Sequence, residues 1–181
     1  YLDSAQTDQY GGRYGYLPGH AATPTMTAEA LLCRQYLGWP REHRGMKAGA
    51  YYLLENLPSA KKLDSSQPWF YYIYYATQVM RNMGGTFWQK WNDAMKATLL
   101  PTQRKTGSLA GSWDPVERYG PHGGRIYVTS LAICTLEVYY RHMPLYDSVP
   151  VIASLPHSGG QADTALGDNP TGKEKREVLT P

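Results

Sequence analysis

The chain has 181 residues, of which 42% are hydrophobic and 18% are charged, as in one ordinary globular domain. Its net charge of +3 comes from scattered Lys and Arg without a basic stripe, which argues against a nucleic-acid partner. No apolar run reaches the roughly 18 residues that a membrane-spanning helix needs, so no membrane span is predicted.

The aromatic residues are mostly those that carry a polar atom. Sixteen Tyr and five Trp accompany only two Phe. Such side chains suit helix interfaces, wet cavities and contacts with sugars or with other protein chains.

Capping residues and apolar periodicity predict five helices. Thr23 and Pro24 mark the start of the first, 24–37, because threonine is a good N-cap and proline fits the first helical position. A glycine and a proline end it. The second predicted helix, 45–57, carries an apolar stripe and stops before a proline.

The third predicted helix, 68–83, has Ser66 as its cap and ends at a Gly-Gly pair. Its inward residues recur at helical spacing: Trp69, Tyr72, Ile73, Ala76, Val79, Met80 and Met83. The fourth, 87–100, has Thr86 as its N-cap and stops before Pro101.

The fifth predicted helix, 125–142, follows a long loop at 101–123. Apolar residues are spread around its whole circumference. A helix of that kind is usually surrounded by others, so we predict an inner helix that is buried on nearly all sides.

Residues 27–33 and 129–134 share a pattern that runs from Thr to Cys inside an apolar helix, which indicates a repeat. Their cysteines, Cys33 and Cys134, are predicted to be buried structural thiols. Helices with short connections and no strand period predict an all-α fold of antiparallel helix-hairpin repeats.

Composition divides the chain into a helical domain, 1–146, and an extended tail, 147–181, which is rich in Ser, Pro, Gly and charge. The chain begins at Tyr1 without a signal peptide, so either a targeting segment was removed, as in an exported protein, or the chain is a piece of a longer protein. We expect the second. Four apolar tail residues are expected to bury themselves against other chains: Val149, Val151, Ile152 and Leu155.

Four stretches of the chain match one family in the order of their helices and in the placement of Gly and Trp. They are the Gly-Ser-Trp-Asp-Pro turn at 111–115, the aromatic cluster at 69–77, the Trp-rich helix around 88–92 and the helical segment at 124–131. Together they resemble the prenyltransferase and squalene-oxidase repeat proteins of bacteria, in the terpenoid-cyclase-like α/α toroid group. The resemblance covers about 10–146. It implies a partial α/α toroid, as a fragment or one subunit of an assembled ring of helix pairs.

The resemblance also implies a role for Gln103, Gly111 and Trp113, which match the Gln…Gly-x-Trp repeat of the cyclases with a longer gap. We expect this role to be structural. A glutamine amide can satisfy free backbone groups at a helix end, while the indole packs over the turn.

The catalytic patterns of the same group are missing. The Asp-x-Asp-Asp acid of squalene-type cyclases has no counterpart, and Asp93, Asp114 and Asp147 are isolated, so no catalytic residue is assigned. Protein prenyltransferases hold zinc with an Asp, a Cys and a His, but Asp114, Cys134 and His122 do not match that local pattern. We predict no metal and no cofactor.

The third helix offers a candidate ligand site. Tyr71, Tyr74 and Tyr75, with Trp69, would form an aromatic wall for a sugar, an isoprenoid or a cationic intermediate if they faced a central cavity. The alternative is that these tyrosines pack the helix against another chain.

We therefore predict a noncatalytic scaffold or binding subunit that engages other protein chains through aromatic faces and its tail. A hydrophobic or carbohydrate ligand is a further expected partner. The alternative is a cyclase-like or carbohydrate-active α/α-toroid enzyme, because folds of this kind carry unrelated chemistries. An acidic pair that faces a closed cavity would favour the enzyme.

Overall fold

A computed structural model describes residues 1–63, 66–141, 143, 145 and 146. Within these residues the regular structure is helical, apart from one isolated β-bridge between Gln6 and Tyr14. The helices are α1 (Leu2–Ala5), α2 (Pro24–Tyr36), α3 (Arg44–Glu55), α4 (Trp69–Met83), α5 (Gly85–Thr102), α6 (Gly120–Leu136) and α7 (Val138–Arg141), with a 3-10 turn at Ala60–Lys62. The predicted all-α class is confirmed.

None of the described helices is both long enough and apolar enough to cross a bilayer. The predicted tail, 147–181, and the contacts expected of it lie outside the described residues.

Helix α4 lies at the centre of the core and contacts α2, α3, α5 and α6. Its apolar residues recur at helical spacing, so they cover most of its circumference. All but one of the predicted inward residues are buried, with at most 2% of their surface exposed. Trp69 is the exception, because it lies in the first turn and stays partly exposed.

The fifth predicted helix corresponds to α6, and the prediction that it is an inner helix was wrong. One face is buried through Val128, Ala132 and Thr135, whereas Ile126 is 83% exposed and Ile133 is 43% exposed. Apolar residues around a helix show that it can be buried on all sides, but burial also needs neighbouring elements. The described residues supply neighbours for one side of α6.

Several predicted helix boundaries also differ from the structure. Helix α5 has Gly84 as its N-cap rather than Thr86, and it continues past Pro101 to Thr102. Proline is tolerated there because it lies in the last turn, where a single backbone hydrogen bond is lost. Helix α4 has Pro68 rather than Ser66 as its N-cap. The fifth predicted helix ends at Leu136, and α7 follows as a separate turn.

The two cysteines are not the buried thiols that the sequence predicted. Cys33 is exposed and Cys134 is partly exposed. In α2 the buried side is formed by neighbouring positions such as Leu31 and Leu32, and Cys33 faces away from them. An apolar stretch therefore did not identify the inward positions.

Two turns of the chain use the same hydrogen bond to hold an aromatic residue. The backbone N–H of Tyr14 donates to Thr27 Oγ1 at 3.1 Å, and the backbone N–H of Trp113 donates to Thr129 Oγ1 at 3.2 Å. Both aromatic side chains are 1% exposed. Each turn is thus held to the helix that follows it by a threonine in that helix.

The bases of these turns also match. The backbone N–H of Thr7 donates to the carbonyl of Arg13, just before Tyr14, at 2.9 Å. The backbone N–H of Arg104 donates to the carbonyl of Ser112, just before Trp113, at 2.8 Å. Gln6 and Gln103 stand directly before these donors. The local geometry of the two turns is therefore similar, although their sequences differ in length.

Candidate functional site

Trp113 ties the turn between α5 and α6 to the end of α5. Its indole Nε1 donates to the carbonyl of Leu99 at 2.8 Å, and its ring is buried in the core. Carbonyls in the last turn of a helix lack partners within the helix, so a buried indole donor can satisfy one of them. Gln103 closes the same turn, because its Nε2 donates to the carbonyl of Gly111 at 2.9 Å.

Asp114 joins this turn to α6 through two arginines. Its carboxylate accepts from Arg104 Nε at 2.8 Å and from Arg125 Nη2 at 2.6 Å. These hydrogen bonds, the one from Arg104 first, hold the pKa of Asp114 below its usual value. Asp114 therefore stays ionised near neutral pH and stabilises the turn rather than supplying a proton.

The predicted aromatic wall is divided among three environments. Tyr71 lines a cavity, while Tyr75 packs edge-on against Tyr71 and Tyr74, with ring centroids 4.8 Å and 5.1 Å apart. Trp69 lines a different, smaller cavity together with Tyr72. The four predicted residues therefore do not form one continuous surface in a common cavity.

The cavity beside Tyr71 lies between α2, α4 and the start of α6 and has a volume of about 400 Å³. Small-molecule sites commonly have volumes of about 300–1,000 Å³. Besides Thr25 and Gly123, its wall combines four tyrosines with one methionine, one glutamate and one histidine: Tyr16, Tyr71, Tyr119, Tyr127, Met26, Glu29 and His122. Four of these seven, Tyr16, Met26, Glu29 and Tyr119, are residues that the sequence did not single out.

Two glycines shape the side of the cavity that α6 provides. Gly124 has φ 67° and ψ −170°, a conformation that kinks the helix and that other residues rarely adopt. The first turn of α6, with His122, is therefore set at an angle to the rest of the helix. A Cβ atom at Gly123 would lie 2.6 Å from the ring of Tyr127, so glycine lets that ring lie against the backbone.

Glu29 is the acidic group of this cavity. It is partly buried, and burial raises the pKa of its carboxyl above the usual value. It makes no hydrogen bond or ion pair with any residue that the structure describes. Ionised Glu29 is thus a negative charge in an aromatic cavity whose described residues offer it no cation and no donor, although solvent still reaches its carboxylate.

Two phenols of the cavity, those of Tyr71 and Tyr127, stay neutral. Burial raises the pKa of Tyr71 and of Tyr127 well above the ordinary value. The Tyr127 hydroxyl is buried without a hydrogen-bond partner in the described part of the chain. Because it has no accessible surface, this hydroxyl is a buried polar group without the hydrogen bond that usually compensates its burial.

Glu117, in the loop before α6, is a buried carboxyl that the sequence gave no reason to select. It has no exposed surface, and burial raises its pKa to about 7. Its Oε1 accepts from the backbone N–H of Tyr119 at 3.1 Å, while its Oε2 has no partner among the described residues. No local motif marks this residue, because its burial depends on the way α4 and α6 pack.

Ser112 and Asp114, the polar side chains of the Trp113 turn, are engaged in structural hydrogen bonds. Ser112 Oγ donates to the carbonyl of Leu109 at 2.6 Å and accepts from Arg125 at 3.1 Å, and Asp114 binds two arginines. His122 lies on the cavity wall. No group of three or more His, Cys, Asp or Glu side chains that could hold a metal ion occurs among the described residues.

A scan against protein-family models, a search of curated proteins and a search of solved structures each give no match for the chain.

Proposed function

We propose that the chain is a noncatalytic helical-repeat module of the α/α-toroid kind, and that it binds other protein chains through exposed aromatic and aliphatic side chains. The observation that carries this proposal is the uncovered side of α6 and α7. Ile126 is 83% exposed, Ile133 is 43% exposed and Tyr140 is 91% exposed.

Ile126 and Ile133 lie two helical turns apart and share one face of α6. Burying one large apolar side chain contributes about 1.5–3 kcal/mol. A partner that covers both isoleucines and Tyr140 would therefore gain several such contributions. Clustered apolar exposure of this kind is a common mark of an interaction site.

The matching turns around Tyr14 and Trp113 support the repeat part of the proposal. In a repeat protein each unit buries its apolar face against the next, so a terminal unit without a neighbour leaves such a face open. Helix α6 belongs to the last long helical unit of the described chain, and its open face is the one expected there. The partner would then be a further helix pair, supplied by another chain.

The test is sedimentation velocity of the full chain over a range of concentrations. The parent protein should self-associate or aggregate, and a double variant, Ile126→Gln with Ile133→Gln, should do so less. Leu100→Gln is the matched control, because Leu100 is also exposed (46%) but lies on α5. A parent chain that sediments as a monomer at all concentrations, and like the double variant, would contradict the proposal.

An enzyme is the second candidate, and Glu117 favours it. A carboxyl with a pKa of about 7 can give and take a proton near neutral pH. Against this, Glu117 has no exposed surface and does not line the cavity beside Tyr71, where Glu29 is the acidic group. An acid–base enzyme would lose turnover in Glu117→Gln, whereas a binding module would keep its association unchanged.

A further inference from the structure

The cavity between α2, α4 and the start of α6 carries a chemistry that the proposed protein-binding face does not use. We propose that it binds a small organic cation, with a substituted ammonium group against the rings of Tyr71 and Tyr119 and its charge opposite Glu29. This site is separate from the exposed face of α6, so each can be tested without the other.

The ring geometry suits such a head group. The rings of Tyr71 and Tyr119 have centroids 6.4 Å apart and are nearly perpendicular, at 89°. They form two sides of a corner, which the side chain of Met26 and two further tyrosines extend. Aromatic faces carry partial negative charge and attract a cation that lies within about 6 Å of the ring centre.

The charge of the cavity favours a cation over a neutral or negative ligand. Glu29 lacks an ion-pair partner among the described residues, and the described wall of the cavity contains no Lys or Arg, with His122 as its other titratable group besides the tyrosines. A partly buried carboxylate is unfavourable until an opposite charge approaches it. A bound ammonium would supply that charge, whereas an anion would be repelled.

Size and the other polar groups of the wall further define the ligand class. A volume of about 400 Å³ exceeds that of a trimethylammonium group, so the cavity also accommodates a substituent. Thr25 and His122 line the same cavity, and their hydroxyl and imidazole groups can hydrogen-bond that substituent. A trimethylammonium group with a short hydroxylated chain has both features.

The decisive experiment compares two probes of the same shape on the full-length parent protein. Choline carries the charge, and 3,3-dimethylbutan-1-ol replaces its nitrogen with carbon. Isothermal titration at pH 8 should give saturable choline binding that is about tenfold tighter than binding of the alcohol. Equal affinity for the two probes, or no saturable binding of choline, would overturn the inference.

Variants then test the two groups assigned to the cation. Glu29→Gln keeps the shape of the side chain and removes its charge, so choline affinity should fall about tenfold. Glu55→Gln, on the exposed side of α3, is the matched control and should bind like the parent. Tyr71→Leu should weaken binding, and Tyr71→Phe, which keeps the ring, should largely preserve it.

Thermal unfolding of each variant shows whether it is folded. Unchanged choline affinity in a folded Glu29→Gln protein would refute the role of Glu29 and the inference with it. The comparison of choline with the alcohol uses the parent protein and requires no variant. It therefore tests the inference even if a variant fails to fold.

Discussion

Tyr14 and Trp113 occupy equivalent places in two turns, since the backbone N–H of each donates to a threonine hydroxyl in the helix that follows. Each side chain is almost completely buried. Thr27 and Thr129, which accept these bonds, belong to the two helix segments that share a Thr-to-Cys pattern in the sequence. The shared pattern thus includes a hydrogen bond that holds an aromatic residue in the core.

Replacing Trp113 with alanine is expected to destabilise the fold by about 3–5 kcal/mol, the usual range for truncating a large buried aromatic residue. The variant also loses the indole bond to the carbonyl of Leu99. Urea unfolding followed by circular dichroism measures the change. Trp88→Ala is the matched control, because Trp88 is only partly buried and should affect stability less. Equal effects at the two positions would refute the packing role of Trp113.

Glu117 should make stability fall as the pH rises. Its folded-state pKa of about 7 lies above the ordinary value of 4.5 for a glutamate, so the folded protein holds this proton more tightly than the unfolded chain. The resulting stability is present below about pH 4.5 and is lost as the pH rises through 7. Relative to the parent, Glu117→Gln should gain about 2–3 kcal/mol between pH 5 and pH 8.

Chemical denaturation at several pH values tests this expectation. The parent and Glu117→Gln should have similar stabilities at pH 5, where the parent carboxyl is mostly protonated. At pH 8 the variant should be the more stable protein. Parallel stability curves over this range would show that Glu117 titrates as it does in the unfolded chain.

Gly124→Ala should destabilise the protein by about 1–3 kcal/mol through its backbone alone. No heavy atom lies within 4 Å of a Cβ built at this position, so the added methyl group meets no neighbour. The cause would be the φ of 67°, which side-chain-bearing residues rarely adopt. Ser130→Ala, on the exposed side of α6, is the control and should be neutral or slightly stabilising in thermal unfolding.

Two tyrosine-to-phenylalanine changes should have opposite signs. Tyr127→Phe removes a buried hydroxyl that lacks a partner, so stability should stay the same or rise by up to about 1 kcal/mol. Tyr72→Phe removes a hydroxyl that donates to the carbonyl of Asn56 at 3.0 Å and should cost about 0.5–1.5 kcal/mol. Urea unfolding of both variants checks the signs, and a destabilised Tyr127→Phe would reveal a hydrogen bond to its hydroxyl.

The sequence predicted the core better than the surfaces. The apolar spacing of α4 was sufficient to predict its buried residues because this helix has neighbours on most sides. The same reasoning failed for α6, since apolar residues show what a helix could bury and not what is available to cover it. Ile126 and Ile133 are exposed for that reason.

The cavity was beyond sequence analysis because its wall comes from separate segments. Tyr16 lies in a loop, Glu29 in α2, Tyr71 in α4 and Tyr119 beside α6. No spacing along the chain relates these residues, and only Tyr71 had been chosen as a ligand contact. The turn with Trp113 could be found because its residues are local in sequence.

The hydrogen bonds at the base of the Trp113 turn leave residues 105–110 as an exposed loop. The backbone N–H of Arg104 donates to the carbonyl of Ser112, and its carbonyl accepts from the N–H of Gly111, both at 2.8 Å. These two hydrogen bonds hold the ends of the loop together. Loop-closure entropy grows slowly with length, so residues can be added there with little effect on the helices. This loop should therefore tolerate a peptide tag or a whole inserted domain. It is also where related chains can differ most in length.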